Sequence, residues 1–232
     1  AAIFQKDPLV LLTHPEVKIA KLEDLKPLTL LVSKEGLTSY FQWLKSEFGF
    51  SESKVKPYTF NPQPFIVNKQ SAMQGYVTSE PYAVQKAAGF KPNVTLMADY
   101  GFSAYSTLIE TRNEVIDKKP DLVQRFVDAS IIGWYNYLYG DNKSANEMIK
   151  KMNPEMTDEL LAYSLGKMKE YGIVDSGDTL KDGIGAMNDA RFASFFDKMV
   201  RAGVVRRDID YRQAYTLRFA NKAVGLNLRP KN

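Results

Sequence analysis

The sequence predicts an α/β protein, and three observations lead to that prediction. Between residues 21 and 104, short apolar runs alternate with segments whose apolar residues recur at helical spacing. Two of these helical segments stop at a glycine, Gly49 and Gly89, a residue that readily adopts the left-handed backbone that ends a helix. From residue 120 onward the pattern is helical only. Alternating strands and helices form a sheet covered by helices, so residues 21–104 are expected to make one compact α/β unit.

The strands of this unit are predicted from apolar runs that have the length of buried strands. These runs are Leu28–Ser33, Val55–Phe60, Ser71–Val77 and Val94–Ala98. The helices between them are predicted from capping residues and helical periodicity. They extend from Thr38 or Ser39 to Gly49, over a short segment from Pro64, and from Pro81 to Gly89.

The rest of the chain is predicted to be one strand-like run followed by four helices. The run is STLIETRNEVI from Ser106, and the helices are 120–140, 157–171, 188–202 and 210–224. The first helix is expected to bury Leu122, Phe126, Ile131, Trp134 and Leu138. The opening run from Ile3 to His14 is also strand-like and is expected to pair with the run after Ser106. Because two strands cannot cover four helices, part of this layer is expected to precede Ala1.

Composition excludes several kinds of protein and site. The chain has 232 residues, 44% of them hydrophobic, but no uninterrupted apolar run of the length that a membrane span needs. It has no cysteine, which excludes disulfides and thiolate chemistry, and its net charge of +4 is too mild to indicate nucleic-acid binding. The single histidine, His14, lies in the turn-like sequence THPE and is expected at the surface. We expect neither a metal site nor a cofactor.

Tyrosines and acids follow the ends of apolar strands in two segments, QGYVTSEPY (Gln74 to Tyr82) and ADYGFSAY (Ala98 to Tyr105). Side chains at the carboxyl ends of strands line the crevice in which open α/β sheets hold ligands. Tyrosine offers a flat apolar face and a polar tip, so the segments predict a site for a small planar molecule. The alternative is that the tyrosines are packing residues and that the acid only favours the start of the next helix. The candidate residues are Tyr76, Glu80, Tyr82, Tyr100 and Tyr105.

A second candidate lies at the start of the first helix, in SKEGLTSY. Gly36, Thr38 and Ser39 lie there, and exposed N–H groups at a helix start bind anions or polar ligand atoms. The competing interpretation is simple capping, which every helix needs. The acids of VDSGDTLKDG lack the ligand spacing of a calcium loop, so a solvated loop is expected at Asp175, Asp178 and Asp182.

Longer segments resemble one family of proteins. They are AIFQKDPLVLLTHPE, LEDLKPLTLLVSKEG, the EPY element, ADYGFSAYSTLIETRNEVIDKKPDLVQRFVDA, and GIGAMNDARFASFFDKMV followed by DYRQAYTLRFAN. In this order and spacing they resemble the solute-binding proteins of bacterial ABC importers, in the branch related to thiamine-pyrimidine-synthesis proteins. The similarity spans nearly the whole chain.

The resemblance implies a type II periplasmic-binding fold, with two lobes that each contain a mixed sheet flanked by helices. Residues 1–20 then hold the first crossover strand and part of lobe 1, 21–104 form lobe 2, and 105–232 hold the second crossover strand and the helical remainder of lobe 1. Gln5 lies where the hinge is expected, and it contacts either ligand or backbone. Lobe 1 is expected to lack an amino-terminal βαβ segment. A second chain that supplies it, proteolysis and truncation are the three explanations.

The resemblance also implies a function without enzymatic activity. The protein is expected to be periplasmic or lipid-anchored outside the cytoplasm and to deliver a small-molecule solute to an ABC permease in the inner membrane. The expected solute is a planar heterocycle such as an aminopyrimidine, whose amidine-like edge can donate two hydrogen bonds to Glu80. The alternatives are a sulfonate or related organic anion held at Gly36–Ser39, a pyrimidine-synthesis-type enzyme, and the effector module of a regulator.

Overall fold

The computed structural model describes residues 1–230, which contain both strands and helices. The strands are β1 (Ala2–Phe4), β2 (Leu9–Thr13), β3 (Thr29–Val32), β4 (Val55–Pro57), β5 (Ser71–Tyr76), β6 (Asn93–Leu96) and β7 (Ser106–Leu108). The α helices are α1 (Lys34–Leu37), α2 (Tyr40–Phe48), α3 (Gln63–Val67), α4 (Glu80–Ala88), α5 (Asn113–Lys118), α6 (Pro120–Tyr139), α7 (Lys143–Met152), α8 (Asp158–Glu170), α9 (Thr179–Asp182) and α10 (Asp189–Arg201). Short 3₁₀ helices cover Leu22–Leu25, Glu52–Lys54, Met97–Tyr100, Tyr211–Ala214 and Leu226–Leu228.

Two compact units divide the chain. Unit 1 consists of Ala1–Asp7, Ala104–Arg191 and the described part of Asp210–Asn232. Unit 2 consists of Pro8–Ser103 and Phe192–Ile209.

Unit 2 is built on a five-stranded mixed sheet with the order β4-β3-β5-β2-β6. Strands β3, β4 and β5 are parallel, whereas β2 is antiparallel to both of its neighbours, β5 and β6. All five residues of β2 are buried, as expected for a central strand that is covered on both faces. The register pairs Leu9 with Tyr76 and Val10 with Leu96.

The strand directions bring four strand ends to one edge of this sheet. Since β2 is antiparallel to β5 and to β6, β6 runs in the same direction as β3, β4 and β5. The chain passes from β3 to β4 on one side of β3 and later returns to β5 on its other side. The order therefore reverses between β3 and β5, and open α/β sheets bind ligands in the crevice at such a reversal.

The helices of unit 2 end where the sequence predicts. Helix α2 ends at Gly49 (φ 69°) and α4 ends at Gly89 (φ 73°), and both glycines adopt the left-handed conformation. Helix α2 buries Phe41 and Leu44, which lie one turn apart on its inner face. The two predicted helix ends are therefore confirmed. Glycine can end a helix in this way because it has no Cβ to oppose a positive φ.

The segment Phe192–Ile209 falls within the sequence range 105–232 but packs in unit 2. The ring of Phe195 lies 5.3 Å from that of Phe102, edge to face. Lys198 Nζ donates to the carbonyl of Gly101 at 2.6 Å, and Arg201 pairs with Glu47 at 3.1 Å. These contacts attach the carboxyl-terminal part of α10 to the sheet unit.

Unit 1 contains a two-stranded antiparallel sheet and most of the helices. Strand β1 pairs with β7 through Ala2–Leu108 and Phe4–Ser106, which confirms the predicted pairing for the start of the opening run. The rest of that run, Leu9–Thr13, instead pairs with β5 and β6 in the sheet of unit 2. A single bridge joins Ala2 to Gly185 on the other side of β1. The core of the unit is formed by Ile3, Val127, Ile131, Tyr135, Leu138, Val174, Ile184 and Phe219.

The predicted fold class is confirmed. The chain is α/β, with sheets flanked by helices and no closed barrel among residues 1–230, consistent with a periplasmic-binding-like fold. None of the helices in these residues is both long and apolar enough to cross a membrane.

Two predicted elements of unit 1 are wrong. The strand predicted from Ser106 to Ile116 ends at Leu108 and is followed by α5, because its partner β1 has only three residues. The helix predicted over 210–224 is absent from the described residues apart from a 3₁₀ turn. Asn221 (φ 60°) instead donates from its side chain to the carbonyl of Met187 and accepts from that residue's N–H. This tertiary contact outweighs the local helix preference.

Helix α6 also buries a different stripe from the predicted one. Leu122 and Phe126 are exposed, whereas Val127 and Tyr135 are buried together with the predicted Ile131 and Leu138. The buried face is therefore rotated relative to the predicted face over the first two turns. Helix α7 was not predicted, since its apolar residues are few and lie among lysines.

Candidate functional site

A hydrogen-bonded network in unit 2 joins the two strand ends at the reversal. Gln74 Oε1, on β5, accepts from the N–H of Ser33 at 2.9 Å and from the hydroxyl of Tyr40 at 3.2 Å. Its Nε2 donates to Ser33 Oγ at 3.3 Å. Ser33 caps α1 by accepting from the N–H of Gly36 at 3.0 Å. One amide side chain therefore fixes the turn after β3 against β5.

Gly36 is required by the closeness of this packing. A Cβ atom at this position would lie 2.4 Å from Gln74 Oε1 and 2.6 Å from Tyr40 Cε1. Both distances are far below van der Waals contact, so any side chain would displace the network. The role of Gly36 in the structure is to let α1 approach β5.

Glu80 closes the turn between β5 and α4. Its Oε2 accepts from the N–H of Tyr76 and from the hydroxyl of Ser79, each at 2.6 Å. Its side chain packs on Gly75, where an added Cβ would lie 2.6 Å from Glu80 Cβ. The other oxygen, Oε1, accepts no hydrogen bond from residues 1–230. The carboxylate is thus held in place by one oxygen and has the other available.

Tyr58 lies within the electric field of this carboxylate. Its N–H donates to the carbonyl of Val32 at 2.9 Å, which anchors it beside the end of β3. Burial, and to a smaller extent the charge of Glu80, raises the pKa of Tyr58 to about 12. The hydroxyl therefore remains protonated at neutral pH and is able to donate a hydrogen bond.

Three other predicted site residues of unit 2, Thr38, Ser39 and Tyr82, contact residues that are close to them in sequence. The hydroxyls of Thr38 and Ser39 both donate to the carbonyl of Glu35, at 3.1 and 2.7 Å. Tyr82 is half-buried on α4, with Lys86 Nζ 5.3 Å from its ring centre. The hydroxyls of Thr38 and Ser39 therefore bond back to the preceding turn of α1, and Ser39, the N-cap residue of α2, makes no side-chain cap hydrogen bond.

Two other tyrosines lie at the strand-end edge. Tyr76 is the last residue of β5 and is 52% exposed, and Tyr100 ends the 3₁₀ helix that follows β6. Both present aromatic surface to solvent. The structure therefore places Gly36, Tyr76, Glu80 and Tyr100 near strand ends on one edge of the sheet of unit 2.

Tyr105 belongs to a separate cluster in unit 1. Its hydroxyl donates to Asp178 at 2.7 Å and accepts from the N–H of Asn188 at 3.0 Å. The side chain of Asn188 also donates to Asp178, at 2.7 Å. Burial and then the hydrogen bond to Asp178 raise the pKa of the Tyr105 hydroxyl.

Arg191 connects this cluster to Gln5. Its guanidinium lies 3.9 Å from the ring centre of Tyr105 and donates to the carbonyls of Ala104 and Gln5. Gln5 is 1% exposed, and its Nε2 donates to the carbonyls of Ala2 and Ala186. Its Oε1 has no partner in the described residues. Of the two roles expected for Gln5, backbone pairing is the one that these contacts fulfil.

His14 and Asp175 are buried, so the expectation that both are solvated is wrong. The ring of His14 lies between those of Phe65 and Phe90, at 4.8 and 4.6 Å, and its Nε2 is 2.8 Å from the carbonyl of Phe65. The carboxylate of Asp175 is 5% exposed and pairs with Arg229 at 2.5 Å. In both cases the covering residues are distant in sequence, and the local turn signal could not indicate them.

Sequence reasoning missed Ser33, Tyr40 and Gln74 as members of the unit 2 network, and it missed Tyr58 beside the end of β3. The one available signal is Gln74, a polar residue within an otherwise apolar strand, because buried polar groups need partners. Arg191 and Asn188 gave no comparable signal. Among residues 1–230, no group of histidine, aspartate and glutamate side chains is arranged to hold a metal ion.

The comparisons with known proteins agree with the fold. A family model described as NMT1/THI5 like matches residues 1–144, which is more than half of the chain. No match was found among the curated proteins with which the chain was compared.

Proposed function

Because the chain belongs to the NMT1/THI5-like family, which includes solute-binding proteins of ABC transporters, we propose that it is the substrate-binding component of an ABC import system. Its ligand in this proposal is a small planar heterocycle of the thiamine-precursor aminopyrimidine class. It delivers the ligand to a permease in the inner membrane, acts outside the cytoplasm, and catalyses no reaction itself.

One observation carries the choice of ligand. At the reversal of the sheet, Glu80 is fixed through Oε2 and has Oε1 available. A carboxylate accepts hydrogen bonds and donates none, so it selects a ligand edge that presents N–H groups. An aminopyrimidine has such an edge, and the protonated hydroxyl of Tyr58 can donate to an acceptor of the same ring.

A sulfonate or related anion is supported less well. The anion site would depend on donors at Gly36, Thr38 and Ser39, but the Gly36 N–H is already bonded to Ser33 Oγ, and both hydroxyls donate to Glu35. Helix α1 has only four residues and therefore a weak dipole. A carboxylate at the same edge further opposes an anion.

The proposal is tested by titration calorimetry of the purified chain with two probes, 4-amino-5-hydroxymethyl-2-methylpyrimidine and taurine. The wild type is expected to bind the aminopyrimidine and not the sulfonate. The substitution Glu80→Gln is expected to weaken aminopyrimidine binding by about tenfold or more, because the amide presents a donor to the ligand's N–H edge. The matched control is Glu52→Gln, which removes the same charge just before β4, at the opposite edge of the sheet.

Each outcome has a defined meaning. If taurine binds, and binds equally or more tightly to Glu80→Gln, the ligand is an anion and not an aminopyrimidine. Equal aminopyrimidine affinity in the wild type and in Glu80→Gln would remove Glu80 from the site. Binding of neither probe would overturn the proposed ligand class.

A further inference from the structure

Phe60 has an unusual backbone and an unusual exposure. Its φ is +62°, in the left-handed region that bulky residues rarely adopt, and its side chain is 70% exposed. A backbone of this kind costs free energy, and a large apolar side chain in water gains none from burial. Neither local conformation nor packing therefore favours phenylalanine at this position.

The turn itself does not need an aromatic residue. Asn61 accepts from the N–H of Gln63 at 3.0 Å, and Pro62 precedes α3, so the residues after Phe60 direct the chain into the helix. Glycine or asparagine adopts a positive φ at much lower cost than phenylalanine. The phenyl ring thus has no role in shaping this loop.

The ring of Phe60 packs against the ring of Tyr58. The two ring centres are 5.3 Å apart, with an angle of 51° between the planes. Tyr58 itself is buried and is held by its hydrogen bond to Val32. We call these two residues the Tyr58–Phe60 pair, in which a fixed ring carries an exposed one.

The position of the pair relates it to Glu80. The pair follows the end of β4, while Tyr76 ends β5 and Glu80 follows it, on the same edge of the sheet. Only β3 separates these strands, so their ends are about 10 Å apart.

We propose that the Tyr58–Phe60 pair is a stacking surface for the ring of the ligand, with Phe60 as a specificity-determining residue that selects planar over non-planar solutes. The inference rests on the proposed function, in which Glu80 binds the donor edge of the same ligand. A planar ring that covers Phe60 would remove its apolar surface from water and gain the offset contact that aromatic rings prefer.

The test compares Phe60→Asn and Phe60→Tyr with the wild type, by thermal unfolding without ligand and by calorimetry with 4-amino-5-hydroxymethyl-2-methylpyrimidine. Phe60→Asn is expected to raise Tm by about 2 to 4 °C, because asparagine tolerates the left-handed backbone. The same substitution is expected to weaken binding about five- to tenfold, whereas Phe60→Tyr keeps the wild-type affinity. The control Val67→Asn removes another exposed apolar side chain, at the end of α3, and is expected to leave affinity unchanged.

A stacking role for Phe60 predicts that Phe60→Asn is more stable than the wild type and binds the aminopyrimidine more weakly. Unchanged affinity in Phe60→Asn, with binding by the wild type, would overturn the role of Phe60 and leave the proposed function intact. Equal losses of stability and affinity would assign Phe60 a structural role instead. Absence of aminopyrimidine binding by the wild type would overturn the proposed ligand, and the stacking role with it.

Discussion

Gln74 Oε1 lies 2.9 Å from the backbone nitrogen of Ser33 and accepts its hydrogen bond, which joins β5 to the turn that follows β3. Ser33 is buried, so no water replaces this acceptor if it is lost. The same oxygen accepts from Tyr40, which is also buried. Two buried donors therefore depend on one side chain.

Substitution of Gln74 by leucine is expected to lower the free energy of unfolding by about 2 to 3 kcal/mol, because it leaves buried donors unpaired. Urea unfolding measures the change. The control Gln85→Leu, on the exposed face of α4, is expected to change stability by less than about 0.5 kcal/mol. Equal stabilities for Gln74→Leu and the wild type would contradict the network.

Alanine at Gly36 is expected to destabilise the protein by about 2 kcal/mol, since its Cβ would overlap Gln74 and Tyr40. Alanine at Gly133 or Gly166 is expected to do the opposite. Both lie within helices, and no atom outside the adjacent helix backbone lies within 4 Å of an added Cβ, so alanine should stabilise by about 0.5 to 1 kcal/mol. The three variants can be compared in one urea series. A stabilising Gly36→Ala would disprove the close approach.

The Asp175–Arg229 pair predicts a dependence of stability on pH. Burial alone would raise the pKa of Asp175, but hydrogen bonds from Arg229, Thr179 and Tyr139 outweigh it and lower the pKa below the ordinary 3.8. A lowered pKa in the folded state contributes stability that is complete above 3.8. This contribution decreases as the pH falls through 3.8 and towards the folded-state pKa.

Arg229→Gln is therefore expected to cost about 2 to 3 kcal/mol at pH 7 and progressively less below pH 3.8. Unfolding experiments across this pH range measure both effects. The control Arg206→Gln breaks an exposed pair with Asp208 and is expected to cost less than about 0.5 kcal/mol. A difference between Arg229→Gln and the wild type that does not decrease in acid would contradict the assignment.

Leucine at His14 is expected to lower the free energy of unfolding by about 1 to 2 kcal/mol. It fills part of the space between Phe65 and Phe90 but removes the donor to the Phe65 carbonyl. Asparagine, which retains a donor but not the ring, is expected to cost more because the aromatic contacts are lost. A neutral effect of both substitutions would indicate that His14 is solvated.

Local signals were sufficient for the elements whose ends are set within a few residues. Gly49 and Gly89 ended helices as predicted, because a positive φ is a local requirement. The same reasoning failed at 210–224, where Asn221 bonds to Met187 and outweighs helix preference. It also failed at His14, since the rings that cover it come from Phe65 and Phe90.

The candidate site could be predicted in position but not in its network. Strand ends follow from apolar runs, so Tyr76 and Glu80 could be placed at an edge of the sheet. The hydrogen-bond partner of each side chain depends on the order of the strands in the sheet. The periodicity of apolar residues predicts strands but not their order. Gln74 and Ser33 meet because β3 and β5 are neighbours, a fact that neither segment contains.

The central position of β2 in the sheet affects how the chain folds during its synthesis on the ribosome. The residues of β2 are translated before both of its neighbours, because Leu9 pairs with Tyr76 and Val10 with Leu96. Until residue 76 has emerged, this largely apolar strand has neither neighbour, and until residue 96 has emerged it still lacks β6. Strand pairing between residues so distant in sequence slows folding, and it leaves an apolar, aggregation-prone segment exposed until the pairs form. We expect such a nascent chain to need a chaperone between the translation of β2 and that of β6.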